Sequence, residues 1–269
     1  LLVFWMIFIL ADNVIVAFIT AIFFGVHPLR VESVAWIAER KDVLYSFFFL
    51  ASLICYIYYM KKRAYNYYYL SLFMFLLSLF SKPMAVTLPF VLLLFDYFME
   101  RKLTVSNITV KILYFLLSGT FIIIQGFIIL LNRDPEARHY TFFYNICIAS
   151  HGIIFYTGKL LMPVKLACIY PHPSGYILPP FFIAYLFITP LLFLLIIFSR
   201  KYTKKVIFGS LFFLITLLPV SQLIPVPPGI AADRYTYIPS IGFLYIIAEG
   251  FYWLYNKYNK VLLLIILSF

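Results

Sequence analysis

HPLRVESVAWIAERKD, residues 27–42, sets Arg30, Glu32, Glu39, Arg40, Lys41, Asp42 and a tryptophan between two apolar runs. The chain as a whole is only 12% charged, so this density is local. Charges at a bilayer centre cost about 2.5–3.5 kcal/mol each on the insertion scale, and these six would together cost about 15–21 kcal/mol. The stretch therefore does not span a membrane. Pro28 suits a first helical turn and no breaker follows, which predicts one continuous helix. On such a helix Glu32, Trp36, Glu39 and Val43 share one face, with Asp42 and Arg40 on its shoulders. An acidic, aromatic face flanked by cations suits a polar or sugar-bearing ligand held at a membrane surface. The competing reading is a solvated interfacial helix whose charges pair among themselves.

Working outward, 65% of the 269 residues are hydrophobic, with 31 Phe and 23 Tyr, and the mean hydropathy is +1.01. No soluble core needs so much apolar surface, which predicts an all-α, polytopic transmembrane helical protein. The apolar segments are continuous, without the two-residue alternation of barrel strands. A net charge of +11 falls in short clusters between apolar runs, as cytoplasmic loops do, so membrane lipid and not nucleic acid is the expected partner. Cys55, Cys147 and Cys168 give no disulfide framework, and His27, His151 and His172 lack ligand spacing, so no metal is expected. There is no P-loop, GxSxG or dinucleotide pattern, and no cofactor is identified. The sequence has no initiator Met and starts and stops inside apolar runs, as expected of a piece truncated at both ends.

Spans are expected at 13–26, 43–60, 65–80, 84–98, 108–131, 177–199, 206–224 and 238–255, with cut ones at 1–10 and from 261. Asp12 and Asn13 form a tight turn. If 143–162 is re-entrant or lies in the outer interface, Lys61, Lys62, Arg63, Arg101, Lys102, Lys111, Arg200, Lys201, Lys204, Lys205, Lys257 and Lys260 all face the cytoplasm. That is 12 of the 21 basic residues, and the positive-inside rule is obeyed; a crossing there reverses the bias. The outer side then collects 30–42, Lys82, 132–140, 171–180 and Asp233-Arg234-Tyr235. The cytoplasmic loops hold basic anchors with Asp12, Asp96 and Glu100. The 132–140 stretch, mixed in sign, reads as a solvated loop.

Pro83 makes Lys82 a cation at the positive end of the next helix, which is unfavourable unless an anion such as phosphate sits between them. Otherwise Lys82 snorkels to lipid head groups. A Pro-rich approach delivers Asp233, Arg234, Tyr235 and Tyr237 to the membrane edge, where Arg can hold phosphate and Tyr can meet a sugar. The plainer alternative is a local Asp233–Arg234 pair in an aromatic belt.

HPLRVESVAWIAERKDVL at 27–44, SKPMAVTLPFVLLLFDY at 81–97 and ADRYTYIPSIG at 232–242, in that order, resemble the membrane half of the transmembrane and tetratricopeptide-repeat-containing O-mannosyltransferases and their bacterial relatives. The resemblance implies the C-type glycosyltransferase fold over 1–269, with the repeats beyond residue 269. It implies transfer of mannose or another hexose from a polyprenyl or dolichyl phosphate carrier to a protein hydroxyl at the extracytoplasmic face. The membrane would be the bacterial inner membrane or the endoplasmic reticulum. By the same analogy Arg40, with Asp42, is the lipid-phosphate contact, and charge adds Lys82 and Arg234. Glu32, Trp36, Glu39, Asp42, Asp233, Tyr235 and Tyr237 are expected to line the pocket. Such enzymes carry their catalytic acid in the first outer loop, upstream of residue 1, so the piece alone is expected to be inactive. A transporter or flippase of lipid-linked sugars is the alternative. It would place polar residues near the midplane, where only Gln125 and Glu249 are expected.

Overall fold

The computed structural model describes residues 1–101, 104–131, 141–173, 178–223 and 229–257. Regular structure among them is helical: α1 (Leu2–Ala11), α2 (Val14–Val26), α3 (Val31–Ala35), α4 (Arg40–Lys62), α5 (Tyr65–Ser81), α6 (Leu88–Phe98), α7 (Val105–Leu131), α8 (Phe142–Leu161), α9 (Pro180–Ser199), α10 (Lys204–Leu217) and α11 (Pro239–Lys257). One isolated antiparallel bridge joins Tyr170 to Ala231. Local chemistry sets the breaks. Asp12 takes the left-handed conformation at φ 50° and closes α1, and Asn13 caps α2 by accepting from the backbone N–H groups of Ile15 and Val16. The turn expected at Asp12–Asn13 is therefore present.

Three helices are long and apolar enough to cross a membrane, Ile37–Lys62, Asn107–Leu131 and Pro180–Ser199. A fourth arises if Val14–Val26 and Pro28–Ala35, bent by 60°, act as one. This is fewer than the eight complete spans expected. Helices α5, α6 and α10, with 17, 11 and 14 residues, are shorter than the ~20 residues a hydrocarbon core demands. The cut span expected from 261 lies outside the described residues, as does the 132–140 stretch.

Small and hydroxylated residues bring helices close. The Ser52 hydroxyl donates to the Ser71 carbonyl at 2.8 Å and Ser71 returns a bond to the Ser52 carbonyl at 2.7 Å, tying α4 to α5. In an apolar medium such bonds have no water to compete with them. Between α10 and α11, a Cβ at Gly209 would sit 2.5 Å from the carbonyl oxygen of Gly242 and the converse is equally crowded, so the two glycines let the backbones touch.

The charged residues separate to two ends of the helix assembly. At one end Lys61 donates to the carbonyl of Ile9, Lys204 pairs with Glu100 at 2.5 Å and Lys205 pairs with Glu249 at 2.7 Å. Asp96 and Lys111 also lie here, but not as solvated loop residues. Both are buried, 2.5 Å apart, with the Tyr56 hydroxyl donating to Asp96 at 3.1 Å. Glu249, expected deep in a span, meets a half-exposed lysine here instead.

The other end gathers the turns around Arg30, Lys82 and Arg234. Helix α8 is unbroken, and both its termini meet this end. Tyr144 contacts His172 at 3.2 Å near the start of α8, and the Leu160 carbonyl contacts His27 at 3.1 Å near its finish. Between these contacts α8 packs on α9, where the Thr189 hydroxyl donates to the Ser150 carbonyl at 3.4 Å. With Cys168 replaced by Ser, Ala35→Cys and Lys165→Cys are expected to react with an impermeant maleimide from one side of the membrane and Tyr202→Cys from the other. Labelling of positions 35 and 165 from opposite sides would sink this arrangement.

Candidate functional site

The 27–42 stretch is not one helix. The His27 imidazole caps a 3-10 turn over Pro28–Arg30, α3 follows, Trp36 is extended at φ −83° and ψ 114°, and a second 3-10 turn, Ile37–Glu39, leads into α4. The face expected from an uninterrupted helix is therefore replaced by a fold-back. The fold-back still brings Glu32 and Glu39 together, because a shared partner from the far end of the chain draws them in.

That partner is Arg234, in a 3-10 turn over Asp233–Thr236. Its backbone N–H donates to Glu32 Oε2 at 2.9 Å, its Nη1 lies 2.6 Å from Glu32 Oε1, and the same nitrogen donates to the Cys168 carbonyl at 3.1 Å. Its Nε stands 3.5 Å from Glu39 Oε1. The guanidinium lies over Trp36 and Tyr235, 5.7 and 5.3 Å from the ring centroids. Burial works against its charge, but the bond to Glu32 and the nearby acids prevail and hold its pKa above the ordinary range. The Pro-rich approach to this turn, at 224–228, lies outside the described residues.

Asp233 does not pair with Arg234. It accepts from the Ala167 N–H at 2.7 Å and from the Tyr170 hydroxyl at 2.9 Å, so it anchors the 229–233 segment to the loop after α8. Burial raises its carboxyl above the ordinary range despite these two bonds. The Tyr170–Ala231 bridge reinforces the same junction.

A second pair lies alongside. Lys82 follows the last residue of α5, as the Pro83 signal requires, and its ammonium bonds directly to Asp42 in the first turn of α4. Asp42 is fully buried, and the Ser33 hydroxyl donates to its other oxygen at 3.4 Å. The anion beside Lys82 is thus a carboxylate of the chain itself. Lys82 also lies 6.0 Å from the Tyr235 ring centroid, so Tyr235 stands between the two cations.

Arg40 is outside this constellation. It is exposed, and its Nε donates to the Ile37 carbonyl at 3.1 Å. Tyr237 turns towards Arg30, whose guanidinium lies 5.1 Å from its ring, and packs on Phe24. Burial raises the Tyr237 phenol above its ordinary range, with nearby Arg30 lowering it and Asp42 raising it.

Two groups in this region are buried with unpartnered polar atoms, and one of them, Arg30, escapes the sequence reading. Arg30 is 4% exposed, and Nε, Nη1 and Nη2 have no hydrogen-bond partner among the described residues. Glu39 Oε2 is likewise buried and unpartnered. Nothing in the local sequence marks Arg30, since an arginine in a charged run looks solvated, whereas Glu39 is among the residues expected to line the pocket. A crevice of about 310 Å³ opens beside the Arg234 latch, lined by Pro28, Leu29, Glu32, Ala167, Cys168 and Asp233. Among the described residues no group of three His, Cys, Asp or Glu could hold a metal ion.

Fold and site together describe a helical protein with segments able to cross a membrane and a buried, mixed-charge, aromatic-walled constellation at one end. Over 235 residues, 85% of the chain, the sequence is 25% identical to Protein O-mannosyl-transferase F38B6.6 of Caenorhabditis elegans. The chain spans about a third of the length of that protein, 33%. No family model matches the chain, and no solved structure matches it.

Proposed function

We propose that the chain is the membrane part of a glycosyltransferase that moves a hexose, mannose or a relative of it, from a polyprenyl or dolichyl phosphate to a hydroxyl of a protein acceptor at the extracytoplasmic face. The observation that carries this reading is the convergence at one end of Glu32, Glu39, Asp42, Lys82 and Arg234 from three distant segments, beside a crevice and under Trp36 and Tyr235. The similarity to a named O-mannosyl-transferase supports it independently.

Transfer needs a donor phosphate held by cations and an acid–base group to take the acceptor's proton as the anomeric bond breaks. Fixed charges on rigid turns serve that need without reorganisation. Glu32, Asp42 and Asp233 are engaged by donors of the chain, so their part is to hold Arg234, Lys82 and the 229–233 segment in place. Arg40, exposed at the start of α4, is free to meet a head group at the surface.

The test is a transfer assay with the full-length protein in nanodiscs, a radiolabelled mannosyl polyprenyl phosphate and a Ser/Thr-rich peptide. Peptide labelling that requires donor and protein is expected. Movement of intact donor between leaflets without peptide labelling would overturn the transferase reading in favour of lipid-linked sugar transport.

A further inference from the structure

We infer that Arg30 is the anion-binding residue of this site and that its ligand is a phosphate-class anion, a phosphate ester or phosphate itself. The inference rests on the transferase reading for its biological setting but on Arg30's own surroundings for its evidence.

Arg30, Lys111 and Arg234 are the buried cations among the described residues. Lys111 has Asp96, and Arg234 has Glu32 and Glu39. The Arg30 guanidinium has neither an ion-pair partner nor a hydrogen bond among the described residues, although it carries five N–H donors. What faces it is two rings, Phe24 at 4.9 Å and Tyr237 at 5.1 Å. Ring quadrupoles offset part of the lost hydration but accept no strong hydrogen bond at the edge of the planar fork. A buried charge left in that state is costly, and sequences retain such groups where something else completes them.

Two features fix the class of ligand. Phe24 and Tyr237 pack edge to face with centroids 5.2 Å apart, so both rings lie to one side of the guanidinium, and its planar fork of donors can match two oxygens of a phosphate in parallel. The neighbouring cations are already committed, Lys82 to Asp42 and Arg234 to Glu32, so an incoming anion finds its unmet donors at Arg30. Tyr237 connects the two regions, because its ring faces Arg30 while its backbone closes the Asp233–Thr236 turn that carries Arg234. A ligand reaching Arg30 therefore abuts the constellation that would handle its sugar.

The test uses the full-length protein in detergent with a short-chain polyprenyl phosphate, the matching polyprenyl alcohol, and inorganic phosphate, read by thermal shift and by isothermal titration. In the unaltered protein the phosphate ester is expected to raise Tm and the alcohol to have no effect. A comparable response to inorganic phosphate identifies free phosphate as sufficient, and a response to the ester alone identifies the lipid as the source; either upholds the site. Arg30→Met is expected to weaken ester binding at least tenfold, about 1.4 kcal/mol. The same variant is expected to match or exceed the unliganded Tm of the unaltered protein, because it removes an uncompensated buried charge. Arg30→Lys, which keeps charge but loses the fork, is expected to bind weakly too. Ester binding that is unchanged in Arg30→Met, or an unliganded Tm that falls while binding persists, would overturn the inference and leave Arg30 as a cation packed on two rings. Sugar transfer with an unaltered donor KM in Arg30→Met would sink this assignment alone, whereas ester binding through Arg30 without transfer would sink the transferase reading alone.

Discussion

Lys82→Met is expected to destabilise the protein by about 3–5 kcal/mol, the range seen when one partner of a buried ion pair is removed. Methionine fills much the same volume as the lysine stem, so packing changes little. What changes is that Asp42, fully buried, keeps a charge with no cation against it and only the Ser33 hydroxyl to solvate it. Adding Asp42→Asn to the Lys82→Met background is expected to recover most of the loss, because the uncompensated charge is then gone. The measurement is reversible unfolding in mixed micelles by increasing sodium dodecyl sulfate, with all four members of the cycle compared. If Lys82→Met leaves stability unchanged and only donor saturation shifts, the ammonium was serving a ligand and not Asp42.

The direction of that prediction shows where the sequence stops being legible. Pro83 places Lys82 at a helix start, and the structure agrees. The demand for an anion near it is also legible, being a consequence of the helix dipole. Which anion cannot be read, because Asp42 lies forty positions away and the contact depends on how α4 packs on α5. The helical class follows directly from continuous apolar runs. Their number as spans does not, since length decides and Tyr65–Ser81 or Lys204–Leu217 each hold too few residues to cross unaided.

The 27–42 stretch illustrates the same limit at closer range. A propensity argument favours one helix through it, and Trp36 nonetheless adopts an extended backbone. Tertiary contacts override propensity here. The break turns Glu32 to meet both the backbone and the side chain of Arg234, and leaves the Trp36 ring under the same guanidinium. Asp233 and Arg234 are adjacent in sequence and look like a pair, but Asp233 bonds Ala167 and Tyr170 while Arg234 reaches Glu32 as well as the Cys168 carbonyl. Arg40 stands out by analogy with related enzymes, while Arg30, ten positions earlier, is the one left buried without partners.

Arg234→Ala is expected to be the most damaging single change, and to disturb two parts of the molecule at once. The loss strips Glu32 of its cation and Glu39 of the closer of its two, leaving the half-exposed Lys41 at 3.6 Å. It also removes a cation from between Trp36 and Tyr235 and a donor from the Cys168 carbonyl. Two nearly buried carboxylates left so close repel each other, and a loss of about 3–5 kcal/mol is expected for the broken pair alone. Arg234→Lys keeps the charge, but an ammonium cannot bond Glu32 and stack between two rings from one position, so only partial recovery is expected. The backbone bond from residue 234 to Glu32 survives either change. Glu32→Gln therefore separates charge from geometry, since its amide oxygen still accepts that bond while the ion pair is lost. Proteolysis of the 229–237 segment is the sensitive readout, because Arg234 ties it to Glu32 and to the loop at Cys168. Cleavage there should rise sharply in Arg234→Ala and slightly in Glu32→Gln. Equal resistance in all three proteins would mean that Asp233, through Ala167 and Tyr170, holds the segment on its own and that the Arg234 pair is not what keeps it in place.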